Sequence, residues 1–550
     1  MRATFQGLEA AKRAIFTQQS ALYTTGHNIA NANTPGFSRQ RIDFKATDGF
    51  PTAAMNRPEM PGQVGTGVEA GAVQRYRDTF LDMQYRQQNT GLGYWSSQAQ
   101  GLHRMEEVMN EPSDQGLSKV LDQFWSSLED LSVNPEDAGA RAVVLQRGQA
   151  VAETFNYLND RLSVNKKDIG AQIDNTNFGV NGILRQIHAL NQQIGDIEPN
   201  GYLPNDLYDQ RDKLVDELSE HVSIRVSYTS SGGNSGGAAQ GKATIELLDA
   251  NLKPMAFLVD GKVDQVNQVK VQMDDTKNHV VSVSVGSFAA NGNFNAERTF
   301  DMNQFTSQGS LLGHIHNFGY TTDTTDPTNQ NVEVKGNYPE MLDEIDLIAF
   351  NFADAFNKVH RAGFSLEDIT SGTKTNRDFF TGMNYLPPVD PMDPNEVPVI
   401  DPASLKGFAA AIKLSNQLSN NPERIAAAAE SEATPGVAFS GNGRNALEMA
   451  RVKDAMMSFN GQQTSVSNYY QGVIGNMGVK TSEADRLGGN NLILLDSIQR
   501  NRDSVSSVSL DEEMTNMIKY QQAFNAASRN ITVVDEMLDK IINGMGLVGR

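Results

Sequence analysis

Several stretches carry residue types at spacings that invite chemistry. GGAAQGKA at 236–243 has the phosphate-loop spacing from Gly236 through Gly241 to Lys242, which would cradle nucleotide phosphates on backbone amides beside a lysine charge. Ala243 stands where a Ser or Thr hydroxyl should reach magnesium, and ATIELL reads as strand rather than the helix the motif must open. A flexible hairpin loop is the favoured reading. His314 and His316 form an HxH pair that, on a strand, would turn two imidazoles to one face and toward a metal. No third ligand is identifiable among the eight histidines, none of which sits in an HExxH arrangement, and carboxylates such as Asp274 and Asp275 come free in an acidic chain. Packing or surface histidine is favoured. A glycosidase needs two carboxylates at the right separation, and nothing selects a pair; a Ser/His/Asp triad is equally unsupported, because no GxSxG elbow is picked out. No catalytic, cofactor-binding or metal-binding residue is assigned, and the chain reads as a non-enzyme.

Composition narrows the field further. At roughly 150 residues per domain, a chain of 550 residues has room for about four domains. A net charge of −20 opposes attraction to phosphate backbones and anionic lipid, which argues against a nucleic-acid partner. With no cysteine there are no disulfides, thiolate metal sites or cysteine nucleophiles. Arg2, Glu9, Lys12 and Arg13 interrupt the first thirty residues, so these do not read as a cleaved secretory signal. No apolar run approaches the ~18 residues of a membrane helix, so membrane insertion is not expected.

The elements that would have to position any site are clearest at the ends. Met517, Tyr520, Phe524, Ala527, Ile531, Val534, Leu538, Ile541 and Met545 alternate spacings of three and four, a heptad stripe backed by polar residues such as Lys519, Arg529 and Glu536. Leu8, Ile15, Leu22 and Ile29 recur every seven residues near the start, diluted by Gln18 and Thr25. Residues 1–50 hold six Lys and Arg against three Asp and Glu, and residues 508–550 four against six, so opposite signs favour pairing the ends. The plainer alternative packs each helix on its own domain. If the ends pair, everything between them is insertion and the architecture is nested.

Residues 80–221 read as long helices punctuated at NEPSD (110–114), NPED (134–137) and EPNGYLPND (198–206). With 336–363 and 440–507, the latter broken by glycines near 472–478 and 488–489, they make a discontinuous helical bundle. Residues 222–335 form a β-rich insertion: Val269, Val271 and Met273 alternate with polar residues, as do Val281, Val283 and Val285. Asp260-Gly261 signals a hairpin, and TTDTTDPTNQN at 321–331 closes the region. A second, Pro-rich insertion spans 364–439; LPPVDPMDPNEVPVIDP makes 364–403 read as an irregular, exposed excursion. The fold class is mainly α with an inserted β domain: an N-terminal axial helix and extended linker over 1–79 pairs with a C-terminal axial helix over 508–550 in a coiled-coil layer.

HNIANANTPGFSRQ at 27–40 is more specific than any catalytic pattern above. Asn28, Asn31 and Asn33 tolerate left-handed backbone and end helices, and Thr34-Pro35-Gly36-Phe37 fits a type II turn with Pro35 second and Gly36 third. This is a helix stop and a sharp exit. ALYTTGHNIANANTPGFSRQ resembles the N-terminal signature of the bacterial flagellar axial proteins, the family of rod, hook and hook-associated proteins. PNDLYDQRDKLVDELS at 204–219, AFNKVHRAGF at 355–364, GNGRNALEMARV at 441–452 and SLDEEMTNMIKYQQAFNAASRNITVVDEMLDKIINGMGLVGR at 509–550 are similar to the hook–filament junction members of that family. His27 and Phe37 depart from its pattern without touching a chemical role.

The resemblance implies a structural, extracellular flagellar protein, secreted through the flagellar type III export apparatus without a cleaved signal. It implies self-association in a helical zone and contact with the hook protein and a second hook–filament junction protein. A flagellar export chaperone at the C-terminal region and a later filament cap complete the expected partners. The assembly interface would be Leu8, Ile15, Leu22 and Ile29 with Met517, Phe524, Ile531, Val534, Leu538 and Ile541. The terminal helices would be poorly ordered in the monomer, and the stop from Asn28 to Gly36 would set the angle at which the outer domains leave them. Another axial protein, from hook or distal rod, is the alternative; an extracellular hydrolase on an axial scaffold is the third reading.

Overall fold

The apolar spacings at the two ends fold as two long helices lying side by side. The computed structural model describes residues 2–51, 55, 62–109, 116–274, 276, 278–289, 293–322, 333–382, 405–419, 421–432 and 436–544. Helix α1 (Arg2–Ala30) packs along α12 (Leu510–Gly544), and a ribbon of β1 (Gln40–Ala46) and antiparallel β2 (Val68–Arg75) covers the pair. Together these form a terminal layer, which the chain leaves at residues 76–78 and re-enters at 507–509.

The rest is a bundle with insertions. Helices α2 (Thr79–Met109), α3 (Leu117–Val133), α4 (Ala138–Ile197) and α5 (Asn205–His221) follow in order. Asp137 starts α4 by accepting the amides of Gly139 and Ala140, and the 60-residue helix runs about 90 Å at 1.5 Å per residue. The β insertion holds a meander of β3 (Ile224–Thr229), β4 (Lys242–Leu248), β5 (Pro254–Asp260) and β6 (Gln265–Val266). A second sheet is built on β8 (Val280–Phe288), flanked by β7 (Gln268–Met273) and β9 (Phe294–Asp301). Helix α6 (Ser310–Phe318) returns to the bundle between α2 and α4, and β10 (Tyr320–Thr321) and β11 (Val334–Lys335) extend the second sheet.

Helix α7 (Asn337–Ala362) carries the stripe of Met341, Ile345, Ile348, Phe352 and Phe356 into the core. After it come α8 (Leu366–Ser371), β12 (Phe380–Thr381), α9 (Phe408–Ala411) and β13 (Lys413–Leu414). Then α10 (Arg444–Ala450), a hairpin of β14 (Met457–Phe459) and β15 (Gln462–Thr464), and α11 (Val466–Ser506), antiparallel to α2, complete the bundle. Among the described residues no helix is long and apolar enough to cross a membrane.

Three expectations change. Phe364, Phe379 and Phe380 are buried, so residues 364–382 are not an exposed excursion; their aromatic rings are worth more inside the core than in water. LPPVDPMDPNEVPVIDP, NEPSD, most of TTDTTDPTNQN and Met545 lie outside the described residues. The glycines of 472–489 do not break α11, whose packing along α2 outweighs an intrinsic cost of about 1 kcal/mol per glycine. The hairpin at Asp260 is a four-residue loop, because Asp260 Oδ1 accepts the amide of Lys262 and Val259 pairs with Val266.

One buried and two half-buried histidines predict an acid-sensitive bundle. His360 on α7 accepts the Ala426 amide at Nε2 and donates Nδ1–H to the Arg377 carbonyl, tying the second insertion to the bundle. Burial pulls its pKa down to about 4, and the same cause takes His314 and His316 to about 4. A folded value below the unfolded ~6.5 means that the unfolded chain binds more protons, so stability is lost as pH falls through that window. Asp346 on α7, capping α9 at Gly407 and Ala409, is pushed up by burial to about 6 and acts in the opposite sense. His221 and His279 are lowered by burial too, while Asp209, Asp343 and Asp378 are raised with Asp346. Of these groups only the histidines have an unfolded value above about 6, so they dominate between pH 7 and pH 5. A lower melting temperature is therefore predicted at pH 5 than at pH 7, with a shallower slope in His360→Gln. A melting temperature that rises on acidification would contradict this balance.

Candidate functional site

The site begins where α1 stops. Asn28 on its last turn is buried and acts like one residue of a sheet: its Nδ2 donates to the Gln40 carbonyl at 2.8 Å, and its Oδ1 accepts the Gln40 amide at 3.0 Å. The same Nδ2 reaches Glu513 Oε2 on the first turn of α12 at 3.2 Å, so the two helices run antiparallel. Asn31 closes the helix by donating Nδ2 to the His27 carbonyl, and Asn33 and Pro35 are exposed. Gly36 takes φ +86° within a turn closed by the Phe37 amide on the Thr34 carbonyl, the third position of a type II turn. Beyond it Arg39 grips α12 through Glu513 at 2.7 Å and Glu512 at 2.6 Å, and its amide donates to the Ser506 carbonyl.

Along the pair, Met517, Phe524, Ile531, Val534 and Leu538 are half-buried, Ala527 is buried and Ile541 is exposed. Leu8, Ile15, Leu22 and Ile29 are half-buried as well, while the buried line of α1 runs through Ala11, Thr17, Ala21, Thr24, Thr25 and Asn28. Sequence reasoning looked for large apolar residues and so passed over this line of small and hydroxyl side chains, the kind that let helices and ribbon approach closely. At 100° per residue the heptad stripe is a shoulder between that line and an exposed aromatic ridge of Phe5, Phe16 and Tyr23. Helix α12 also leaves Leu510, Met514 and Ile518 exposed at i, i+4 and i+8, and Val533, Met537 and Ile541 likewise.

The base of the layer is anchored on α5. Asp206, Asp209, Asp212 and Asp216 share one face of that helix. Asp209 accepts the Ser38 amide at 3.0 Å, and Asp206 accepts Gln40 Nε2 at 3.1 Å. Arg75 at the end of β2 pairs with Asp209 at 2.6 Å and Asp212 at 3.0 Å. Arg77 reaches Asp82 at 2.6 Å and Asp212 at 3.4 Å; Arg86 reaches Asp216 at 2.7 Å; and Arg502 on α11 joins Asp216 at 2.7 Å and Asp82 at 3.0 Å. Burial opposes the charge on Asp212, but Arg77, Arg75, Arg211 and Arg86 outweigh it and hold this carboxyl well below the usual carboxylate range. The spacing of the aspartates along one helix face was the signal in sequence; nothing in it pointed to the arginines they meet.

The chemical candidates disperse. Gly236–Gly241 form part of the β3–β4 loop and Lys242 opens β4, where the Ala243 amide binds Asn191 Oδ1. One reading is corrected here: Gly233-Asn234-Ser235-Gly236-Gly237 does spell GxSxG, but it lies in the same loop and is followed by strand β4 rather than by the helix an elbow needs. His314 and His316 lie on α6, not on a strand, so their rings leave the helix about 200° apart, and His316 Nδ1 bonds Tyr94 Oη at 2.9 Å. Among the described residues no group of three or more His, Asp or Glu could hold a metal ion.

Comparison with known proteins agrees with this geometry. Residues 102–380 match the family described as flagellar hook-associated protein FlgK helical domain. Residues 8–37 match flagella basal body rod protein, and residues 500–544 match flagellar basal body rod FlgEFG protein C-terminal. The flagellar hook-associated protein 1 of Escherichia coli K12 is 25% identical over 96% of this chain and 97% of its own. The structure of the flagellar hook junction protein FlgK from Burkholderia pseudomallei has the same fold, with a TM-score of 0.55 and 16% identity over 76% of this chain and 100% of that one. The flagellar hook-associated protein 1 of Bacillus subtilis (strain 168) is 43% identical over 100% of both chains, and with the helical-domain match this places the chain in the FlgK family of flagellar hook-associated proteins.

Proposed function

We propose that this chain is a structural subunit of the bacterial flagellum at the junction of hook and filament, and that copies associate through the terminal layer. The observation that carries the reading is an imbalance within the pair. Ala11 and Ala21 of α1 and Ala527 of α12 are the only buried apolar side chains among the described residues of these helices, whereas Phe16 is 58% and Tyr23 80% exposed. Large apolar side chains held in water by an ordered helix favour a partner. The α1 ridge and the α12 patches lie on different elements, so one copy sets its ridge against the next copy's α12, a head-to-tail contact that repeats into a ring or helix.

The hook protein and a second junction protein are the neighbours at the two ends of such a zone, with the cap acting afterwards. Helices that bury so little are easily unfolded for export, and the exposed residues of α12 offer an export chaperone its surface. The matches at 8–37 and 500–544 are to terminal segments only, and the helical-domain match with the full-length relatives favours the junction over a rod or hook subunit.

Deleting the gene and examining cells by electron microscopy, with the medium probed for flagellin, tests the proposal. Completed hooks without filaments, and flagellin lost to the medium, are expected. Absent or incomplete hooks would move the protein into rod or hook, and normal filaments would overturn the structural reading.

A further inference from the structure

The terminal layer and the bundle meet without an apolar contact surface. Every apolar cluster among the described residues is built from residues between Tyr94 and Ala484; none draws on 1–78 or on 507–544. What joins the two bodies is polar: Ser38 on Asp209, Gln40 on Asp206, Asn205 Nδ2 on the Val73 carbonyl at 2.9 Å, and the arginine–aspartate pairs. Two chain crossings, at 76–78 and 507–509, flank this contact, an arrangement that would act as a hinge if nothing held it.

We infer that Arg75, Arg77, Arg86 and Arg502 with Asp82, Asp209, Asp212 and Asp216 form an ionic latch that fixes the angle between the terminal layer and the bundle. Arg75 and Arg77, from the ribbon and its exit, are the cations that cross between the bodies. Arg86 on α2 and Arg502 on α11 belong to the bundle and hold Asp216 and Asp82 in place, so the bundle's four aspartates are left short of charge without the two ribbon arginines. Arg75 and Asp212 have side chains only 2% and 3% exposed. Charges so buried are costly unless fully paired, which makes one relative orientation far better than its neighbours; an apolar contact would tolerate sliding. The pairs also add direction, because a guanidinium fork meets a carboxylate in few geometries. The angle is therefore set by this latch at the two crossings, and not by the turn at Gly36, which joins α1 to β1 within the terminal layer.

The absence of cysteine makes the test direct, since introduced cysteines are the only labelling sites. Nitroxides on Gln19→Cys of α1 and Asp160→Cys of α4, both exposed, report the angle as a distance distribution in the purified full-length chain. Because the layer is docked on the bundle within one chain, a single narrow peak is expected for the parent in place of the terminal disorder expected from sequence. Its loss, by broadening or splitting, is expected for Arg75→Gln combined with Arg77→Gln; a parent peak that is already broad would overturn the inference. The bundle's melting temperature reports whether the variant stays folded. A peak that stays narrow would show that the backbone at the two crossings and the remaining hydrogen bonds hold the angle without the arginines, and a bundle that unfolds would show that these arginines serve its folding; either overturns the inference. Asp209→Asn is the milder companion, expected to broaden the peak while leaving the Arg86 and Arg502 pairs to Asp216 in place. The readout is taken on the monomer, so it stands or falls separately from the assembly proposal.

Discussion

Phe124→Ala is expected to lower the stability of the bundle by roughly 3–5 kcal/mol, the range for deleting a buried aromatic ring that leaves a cavity. Phe124 on α3 is fully buried, and its ring meets those of Trp125, Phe352, Phe356, Phe379 and Phe380 at centroid distances between 5.2 and 6.3 Å. These neighbours come from α3, α7 and the segment entering β12, so the ring ties the second insertion to the helices. Closing the hole needs movement of several elements at once. Gly148 of α4 limits this: a Cβ there would stand 2.7 Å from Phe379, so helix and rings already meet at their closest approach. Denaturant unfolding followed by circular dichroism gives the loss as a lower midpoint. A change below about 1 kcal/mol would mean that the cluster repacks as a looser core does.

The sequence was legible wherever a period carried the information. Heptad spacing from Met517 to Leu538 marked α12, and alternation at Val269–Met273 and Val283–Val285 marked the strands, because side-chain direction repeats with the backbone. Nine-residue α6 was hidden: it is short, and its HxH pair suggested a strand when the Gly309 backbone, at φ +133°, lets a helix begin against the His221 carbonyl. Gly443 in GNGRNALEMARV is explained only in three dimensions, since a Cβ there would meet the Ser132 carbonyl at 1.9 Å where α10 crosses α3. The latch was equally invisible, because Arg75, Asp212 and Arg502 stand more than a hundred residues apart and pair by topology rather than by period. The buried line of α1 was missed for a different reason: alanine, threonine and asparagine do not announce a core.

Ile531→Asp is expected to abolish filament assembly while leaving the bundle's melting temperature unchanged. Ile531 is half-buried in the middle of α12 on the side that faces α1, next to Ala527, and no residue of α12 belongs to a bundle core cluster. The pair is held by little apolar burial, so it has small reserves against a charge whose desolvation without a partner costs several kcal/mol. Opening the pair removes both faces on which a neighbour would dock, and the loss repeats at every contact of the assembled zone. Phe16→Asp separates the two halves of this argument. Phe16 stands on the exposed ridge, so the pair should survive and only docking should fail, whereas Ile531→Asp should disturb both. Complementation of a deletion strain, scored by motility and by electron microscopy, reads assembly; amide exchange in the purified monomers reads the pair. Filaments built by Ile531→Asp would refute the pairing as the basis of assembly. Filaments built by Phe16→Asp would leave the pair in place and move the contact between copies off the ridge, onto the heptad shoulder of Leu8, Ile15, Leu22 and Ile29.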